Sequence, residues 1–306
     1  MILKLLLANG TETALYFPHD ICHANRYCAS NQHTAKPTYG TSMTFIQMLL
    51  LAIVQGVTEF LPISSSGHLI LLPVFTGYAD QGPMIDIAVH VGSLLAIITY
   101  FFKDVWALGR GGLATVGIGQ AAAERRLFWW IIIGTIPAVI VGLFLKTGGY
   151  LDGFRSTTLV ATNLIIYGIL LGIADRFGKQ VKSFEDLSLK DGIIVGLAQA
   201  LALIPGTSRS GVTMTAARFL GYTRVEAARF SFLLSIPAVA GAGVLIIPDL
   251  MGASSDLLKE ALITGVLTFL AALATMAFLM QFLRKASMMV FVIYRVAMGL
   301  ALLAFF

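Results

Sequence analysis

Residues 55–68, QGVTEFLPISSSGH, and residues 199–211, QALALIPGTSRSG, decide how this chain folds. Each stretch reads as the end of an apolar helix that carries a Gln, followed by a Pro, a Ser-rich turn and a Gly that opens a second short apolar segment. Three ionisable side chains, Glu59, His68 and Arg209, lie in these stretches. Because ionisable groups at membrane depth are rare and usually functional, the two stretches mark the predicted functional site.

The composition predicts a polytopic membrane protein. Of 306 residues, 57% are hydrophobic and only 12% are charged, whereas about a quarter of a soluble domain is charged. The net charge of +5 is spread over short loops, which is typical of membrane topology and argues against a nucleic-acid partner. Cys22 and Cys28 both precede the first apolar segment, so redox chemistry is not expected.

The lengths of the apolar segments predict which of them cross the bilayer, because a spanning helix needs about 20 mostly apolar residues. Six segments qualify, namely 84–102, 127–145, 157–174, 230–247, 261–283 and 288–306. Four others are borderline or too short, namely 45–61, 69–76, 193–204 and 212–220. Their junctions are too tight for aqueous loops, so each consecutive pair is predicted to form a re-entrant helical hairpin. The predicted fold is all-α, with six transmembrane helices and two re-entrant hairpins.

Basic residues indicate the orientation. The loops 103–126 and 175–191 each carry four Lys or Arg residues, whereas the opposite side carries only Lys146, Arg155 and Lys259 outside the N-terminal extension. The positive-inside rule therefore places the two basic loops in the cytoplasm. The first hairpin then enters from the outer face and the second from the cytoplasmic face, as in inverted repeats.

The repeat halves cover about 43–174 and 192–306 of a single membrane domain, 43–306. The match between them looks imperfect, because Gln55 lies seven residues before Pro62 but Gln199 lies six before Pro205. Residues 1–42 are predicted to be a disordered or non-native extension without a role in the function, and Met43 is a hypothetical natural start.

Arg209 is the candidate anion-binding residue. An Arg at the centre of a membrane costs about 2.5–3.5 kcal/mol, so it needs an anionic partner, and its planar guanidinium matches a carboxylate or a phosphate. Thr207, Ser208, Ser210 and Gly211 surround it, before a helix whose first N–H groups are free, and this combination is typical of a phosphate cradle. The alternative is an internal ion pair with Glu59, and both can hold if substrate and metal bridge the pair.

Glu59 is the candidate metal ligand or base. Gln55 lies four residues earlier on the same helical face, and an oxygen pair of this kind suits a hard cation such as Mg²⁺ or Ca²⁺. In the turn that follows, a hydroxyl of Ser64, Ser65 or Ser66 with His68 as base could provide a nucleophile. The alternative for this turn is helix capping by Ser and a hydrogen-bonded core His.

Two other sets of polar residues lie in predicted transmembrane segments outside these stretches. Asp86 and His90, at i and i+4, are predicted to form a local hydrogen-bonded pair. Arg295, beside Tyr294 in the last span, is predicted to line the cavity or to support the site from behind.

These motifs closely resemble the undecaprenyl-diphosphate phosphatase family, also called bacitracin-resistance proteins. The resemblance covers about 43–306 and rests on the Glu/Gln-x-x-x-Glu element at Gln55 and Glu59, on PISSSGH, and on PGxSRSGxT from Pro205 to Thr213. It implies hydrolysis of undecaprenyl diphosphate to undecaprenyl phosphate and inorganic phosphate, which renews the lipid carrier for peptidoglycan and accounts for bacitracin resistance. It also implies a divalent cation and a site that opens to the outer face of the bacterial cytoplasmic membrane.

The resemblance also implies roles for individual residues. Glu59 would bind metal or act as base, Ser65 would be the nucleophile, His68 its proton-transfer partner and Arg209 the phosphate clamp. Attack by Ser65, by His68 or by water stays open. The implied metal ligands are Gln55 and Glu59, and the implied substrate-binding residues are Ser64, Ser66, Ser208, Ser210, Gly211 and Thr213.

The rival hypothesis from another class is a transporter or flippase of an anionic lipid phosphate, since inverted repeats with broken helices are typical of transporters. A hydrolase needs a nucleophile and a base beside the phosphate clamp, whereas a transporter does not. The expected partners are a polyprenyl diphosphate and membrane lipids. The sequence leaves monomer and homodimer open.

Overall fold

A computed structural model describes residues 43–78, 82–148, 156–244 and 254–305, and within them it is all-helical. The predicted extension 1–42 and the end of the predicted span 230–247 lie outside the described residues. The first half contains α1 (Phe45–Thr58), α2 (Ser65–Thr76), α3 (Gly82–Tyr100), α4 (Phe102–Thr115), α5 (Ala122–Thr147) and α6 (Thr157–Phe177). The second half contains α7 (Leu189–Leu201), α8 (Arg209–Phe219), α9 (Arg224–Val244), α10 (Ser255–Lys285) and α11 (Met289–Phe305).

The two hairpins, α1–α2 and α7–α8, follow one template with a constant sequence spacing. Ser64 and Ser208 both have positive φ values, 76° and 68°, at the residue before the second helix. The first helix of each hairpin begins with a capping box, on Thr44 in one and on Ser188 in the other. The equivalent pairs, all separated by the same number of residues, are Thr44 and Ser188, Gln55 and Gln199, Ser64 and Ser208, Ser66 and Ser210, and Gly67 and Gly211.

The mismatch predicted from the prolines does not extend to the serines with positive φ. Pro62 and Pro205 occupy different positions of the template, and the Ser with positive φ is the residue that the two turns share. A side chain in the left-handed region is unusual outside Gly, so the same strained Ser in both turns is strong support for a repeated element.

The packing of the helices has the same approximate two-fold relation. In the first hairpin α1 packs along α10, and in the second α7 packs along α5. Both contacts use glycine: a Cβ on Gly56 would lie 2.7 Å from Cβ of Ala271, and a Cβ on Gly196 would overlap the carbonyl oxygen of Gly134. The helices α6 and α11 pack against each other, and an added Cβ on Gly299 would lie 2.6 Å from Cγ1 of Ile165.

Ion pairs between Asp and Arg side chains stabilise one end of the bundle. Asp175 at the end of α6 pairs with Arg224 at 2.6 Å and with Arg218 at 3.5 Å. Arg229 of α9 pairs with Asp104, at the start of α4, at 2.5 Å. The ends of α6 and α8 and the starts of α4 and α9 therefore lie at one end of the bundle.

The second hairpin begins and ends at this same end. Asp191, in the first turn of α7, accepts hydrogen bonds from Lys182 at 3.2 Å and from the hydroxyl of Tyr222 at 2.9 Å, just beyond α8. Burial, together with the bond to the Asp191 carboxylate, raises the pKa of Tyr222 well above its usual range. Since the hairpin starts and finishes here, it dips into the bundle and returns.

The first hairpin begins at the opposite end. The backbone N–H of Met43, before α1, donates to the Glu260 carboxylate near the start of α10, at 2.9 Å. Since α10 ends with Arg284 and Lys285, its start lies far from those basic residues. The two hairpins therefore begin at different ends of the bundle.

The apolar helices define an integral membrane protein. Among the described residues, three helices are long and apolar enough to cross a bilayer: Ala122–Leu145, Thr157–Phe177 and Ser255–Lys285. A fourth span results if the bent pair Met84–Tyr100 and Phe102–Thr115 counts as one. The helices Phe45–Thr58 and Met289–Phe305 are shorter apolar helices.

The prediction of a loop over 103–126 is wrong for its first part. The chain turns by 90° after Tyr100 and continues as α4, a helix that packs on α5. Lys103 and Arg110 made this segment look like a loop, but Leu108 and Gly111 face inward and are buried. The loop that follows is short and ends where α5 begins at Ala122.

The close approach of α7 to α5 gives a test of the packing. We expect Gly196→Ala to lower the free energy of unfolding, because overpacking costs about 1–3 kcal/mol and exceeds the gain of up to about 1 kcal/mol in helix propensity. Gly241→Ala, on α9, is the matched control, since nothing lies within 4 Å of its added Cβ. Thermal unfolding in detergent measures both, and a Gly196→Ala midpoint at or above that of wild type would contradict the packing.

Candidate active site

The two hairpin turns meet inside the bundle, where Arg295 of α11 joins them. Its guanidinium is fully buried and donates to the carbonyl oxygen of Pro62 in the first turn at 3.2 Å. In the second turn it donates to the carbonyls of Gly206 at 3.0 Å and Thr207 at 2.9 Å. It also donates to the Leu164 carbonyl of α6 at 3.2 Å. Arg295 thus satisfies the carbonyl groups that the broken helices expose.

Glu59 lies at the centre of the contact between the hairpins and is buried, with 5% of its surface exposed. One carboxylate oxygen, Oε1, accepts from Nη2 of Arg209 at 3.0 Å. The other, Oε2, accepts from the hydroxyl of Ser65 at 2.9 Å and from Nε2 of Gln55 at 3.1 Å. Ser65 and Arg209 are equivalent positions, the first residues of α2 and α8, so the template brings both to one carboxylate.

The internal ion pair expected as an alternative for Arg209 is therefore present. It does not use the whole guanidinium, because Nη1 donates to the Ser231 carbonyl at 3.4 Å while Nε is buried without a hydrogen-bond partner. A bidentate anion can use a guanidinium edge of this kind. The pair and an anion site on Arg209 are therefore compatible.

A small, partly open pocket lies beside this ion pair. Both hairpins contribute to its wall, the first through Glu59, Ser65 and Ser66. The second contributes Gln199, Ala202, Leu203, Ser208 and Arg209. An acid, a hydroxyl and a cation thus face one cavity, as phosphoryl transfer requires.

The remaining residues predicted to bind substrate support the turns. Ser210 donates to the carbonyl of Leu61 at 3.1 Å and so links the two turns directly. Ser208 accepts from the backbone N–H of Gly211 at 3.2 Å, and Thr213 donates to the Arg209 carbonyl at 2.7 Å. Ser64 forms a hydroxyl pair with Ser66 at 3.2 Å, as Ser208 does with Ser210 at 3.4 Å. Of the six predicted residues, Ser66 and Ser208 line the pocket.

His68 lies in the same hairpin as Ser65, but its hydrogen-bond partners are Ser64 and Tyr294. Its Nδ1 pairs with the Ser64 carbonyl at 2.8 Å, and its Nε2 pairs with the hydroxyl of Tyr294 on α11 at 2.6 Å. Its hydrogen bonds therefore join α2 to α11, and the base adjacent to the Ser65 hydroxyl is Glu59.

Several polar atoms near the pocket are buried and have no hydrogen-bond partner among the described residues: Oε1 of Gln55, both amide atoms of Gln199, and Nε of Arg209. Burying such groups unpaired is costly, so a site that retains several of them is suited to a polar ligand. Gln199 was not among the site residues predicted from sequence. The signal for it was its position in the hairpin, equivalent to that of Gln55.

A divalent cation can be tested against these donors. Gln55 and Glu59 offer hard oxygen atoms, and the unpartnered Oε1 of Gln55 is available as a ligand. The described residues contain no cluster of three His, Cys, Asp or Glu that could hold a metal by itself. The donor set thus fits a Mg²⁺ ion that takes one or two protein ligands and is completed by substrate phosphate and water.

Sequence reasoning also missed the role of α6 in holding the second turn. Asn163 donates its side-chain N–H to the Pro205 carbonyl at 2.8 Å. The predicted local hydrogen bond between Asp86 and His90 is present, and it joins Nδ1 of His90 to the backbone carbonyl of Asp86. His90 is buried.

The fold and site define an integral membrane protein with a polar pocket between two helical hairpins. The family model described as bacitracin resistance protein BacA matches residues 48–301, so the chain belongs to the BacA family. An undecaprenyl-diphosphatase of Erythrobacter litoralis is 65% identical over 285 residues, covering 86% of this chain and 100% of that protein. An undecaprenyl-diphosphatase of Ruegeria pomeroyi is 47% identical and covers 85% of this chain and 98% of its own length.

Because Arg295 connects the two turns, its substitution is expected to lower the stability of the protein considerably. We expect Arg295→Lys to lower the free energy of unfolding by at least about 2 kcal/mol, because hydrogen bonds to charged groups contribute about 1.5–3 kcal/mol each and a Lys cannot reach all of these carbonyls. Arg284→Lys, at the exposed end of α10, is the control. Denaturant unfolding followed by helical circular dichroism measures both, and equal stabilities would contradict the bridging role.

Proposed function

We propose that this protein is an undecaprenyl-diphosphatase, which hydrolyses undecaprenyl diphosphate to undecaprenyl phosphate and inorganic phosphate. The observation that carries the proposal is the position of Glu59 between Ser65 and Arg209 at one pocket. Membership of the BacA family and the names of the curated relatives support it. The reaction renews the lipid carrier for cell-wall synthesis, and this renewal is the basis of bacitracin resistance.

The geometry supports a division of roles between the hairpins. Arg209 binds the terminal phosphate and stabilises the charge that develops on its oxygens. Glu59 accepts the proton of the Ser65 hydroxyl as Ser65 Oγ attacks the phosphorus, and the bond to the oxygen of undecaprenyl phosphate breaks. Glu59 passes this proton to the departing undecaprenyl phosphate. Acting again as the base, it takes a proton from a water that attacks the phosphorus bound to Ser65, and it returns that proton to Ser65 Oγ as inorganic phosphate leaves. Direct attack by water activated on Glu59 is the alternative, which keeps the same base and clamp.

For His68 we propose a positioning role. Since both of its ring nitrogens are engaged, with Ser64 and Tyr294, it orients the turn that carries Ser65. Ser64, Ser210, Gly211 and Thr213 hold the turns in the same way, whereas Ser66 and Ser208 contact the substrate from the pocket wall.

The proposed cofactor is Mg²⁺ or Ca²⁺, held by Gln55 and Glu59. Such a cation neutralises charge on the diphosphate and polarises its phosphoryl oxygens when bound. The neutral Gln55 leaves this site with a single carboxylate, which favours a cation that arrives together with the substrate.

The proposed membrane arrangement has six transmembrane helices and two re-entrant hairpins in the bacterial cytoplasmic membrane, with the site open to the outer face. The ion-paired basic end of the bundle supports a cytoplasmic location for that end. The opposed entry of the hairpins supports the inverted-repeat architecture. Monomer and homodimer both stay open for this chain.

A phosphate-release assay on the purified protein with a long prenyl diphosphate tests the proposed function. We expect Mg²⁺-dependent release that chelation abolishes, and a decrease of about 10²–10⁴-fold in Glu59→Gln, which lacks the base. Ser65→Ala should lose at least as much if Ser65 is the nucleophile.

Ser235→Ala is the control, since Ser235 is buried on α9 and, among the described residues, its hydroxyl donates to the Phe232 carbonyl alone, at 2.6 Å. Rates near wild type in Ser65→Ala with loss in Glu59→Gln would favour attack by water. Movement of intact substrate between leaflets without phosphate release would favour the flippase instead.

The guanidinium of Arg209 should not be replaceable by an ammonium group. We expect Arg209→Lys to reduce the phosphate-release rate by about 10²–10³-fold, because a point charge cannot hold Glu59 and a phosphate together in the geometry of a planar fork. Arg284→Lys again serves as the control. A wild-type rate in Arg209→Lys would refute the clamp.

A further inference from the structure

Gln199 is the one residue in the pocket wall whose whole polar group is buried and unpartnered among the described residues. It is 1% exposed, and neither Nε2 nor Oε1 has a hydrogen-bond partner. An amide group in this state destabilises the folded protein unless a ligand binds it. The packing of α7 alone does not account for a Gln at this position.

The equivalent residue in the first hairpin, Gln55, has the hydrogen-bond partner that Gln199 lacks. Gln55 donates to Glu59, four residues later on the same helix, at 3.1 Å. The residue four positions after Gln199 is Leu203, which lines the pocket beside it and cannot accept a hydrogen bond. The template therefore supplies an amide twice, but only the first hairpin supplies its internal partner.

The charges around Gln199 indicate which ligand suits it. Arg209 lines the same pocket, and its buried Nε is likewise without a partner. The second hairpin thus has two unused donors, an amide and a guanidinium N–H, on two residues that line one pocket. Two such donors match the oxygens of a phosphate group, which accept several hydrogen bonds.

We propose that Gln199 is a substrate-binding residue, whose Nε2 donates to a phosphate oxygen of the bound diphosphate beside Arg209. The inference rests on the proposed function and adds a residue to its phosphate site. As a neutral donor, Gln199 binds the headgroup without an additional cation in the pocket. The oxygen Oε1 is then available to accept from water or from a protonated phosphate.

The test compares Gln199→Leu and Gln199→Glu with wild type in phosphate release from a long prenyl diphosphate. We expect Gln199→Leu to raise KM at least 10-fold with a smaller change in kcat, and to weaken competitive inhibition by inorganic phosphate by a similar factor. We expect Gln199→Glu to be more impaired as pH rises, because its carboxylate repels phosphate once ionised. Gln281→Leu and Gln281→Glu, at an exposed position of α10, are the matched controls.

An unchanged KM and an unchanged inhibition constant for inorganic phosphate in Gln199→Leu would overturn the inference, as would lower stability without a change in either constant. If Gln199→Leu fails to fold, the pH profile of the isosteric Gln199→Glu decides, and a profile parallel to wild type would overturn it. The proposed function fails separately, if wild type itself releases no phosphate. In that case direct binding of inorganic phosphate to wild type and to Gln199→Leu still tests the anion site.

Discussion

The site depends on one buried guanidinium that satisfies the carbonyl groups of two interrupted helices. A helix that breaks inside a bilayer leaves carbonyls that water cannot reach, and a buried cation is equally unfavourable without partners. Arg295 removes both penalties at once, because Pro62, Gly206 and Thr207 supply the oxygens that its charge needs. A Cβ on Gly211 would lie 2.7 Å from Nη1 of this guanidinium, so the second turn leaves room for it.

Around this connection the two hairpins share a scaffold, and their chemistry comes from the positions where they differ. The helix starts, the capping boxes and the strained serines repeat. Two equivalent positions carry different residues: Glu59 of the first hairpin corresponds to Leu203 of the second, and Ser65 corresponds to Arg209. One hairpin thus carries an acid and a hydroxyl, and the other carries a cation and an apolar wall. Glu59 neutralises Arg209 through their buried ion pair, so an anion that binds Arg209 has to compete with a carboxylate.

The sequence predicted an all-helical membrane protein and offered the pairing of Glu59 with Arg209 as an alternative, because charges are scarce in this chain and few partners were available. It did not predict the shared register, because Pro is a more visible marker than a Ser with positive φ. Ser65 contacts Glu59 and not the predicted partner, His68. This contact depends on the direction of the side chains, which cannot be predicted from sequence spacing alone. The acceptors of Arg295 are backbone carbonyls, which every residue carries and which therefore leave no trace in a sequence.

The constant spacing inside the hairpins has a consequence for how such chains can diverge. An α-helix turns by about 100° for each residue, so one inserted or deleted residue between the capped start of α7 and Ser208 would rotate Gln199 or Arg209 out of the cavity. Homologous chains should accordingly tolerate changes of residue type in these hairpins far more readily than changes of their length. The segment between α4 and α5, which bears no part of the cavity, is free to vary in length.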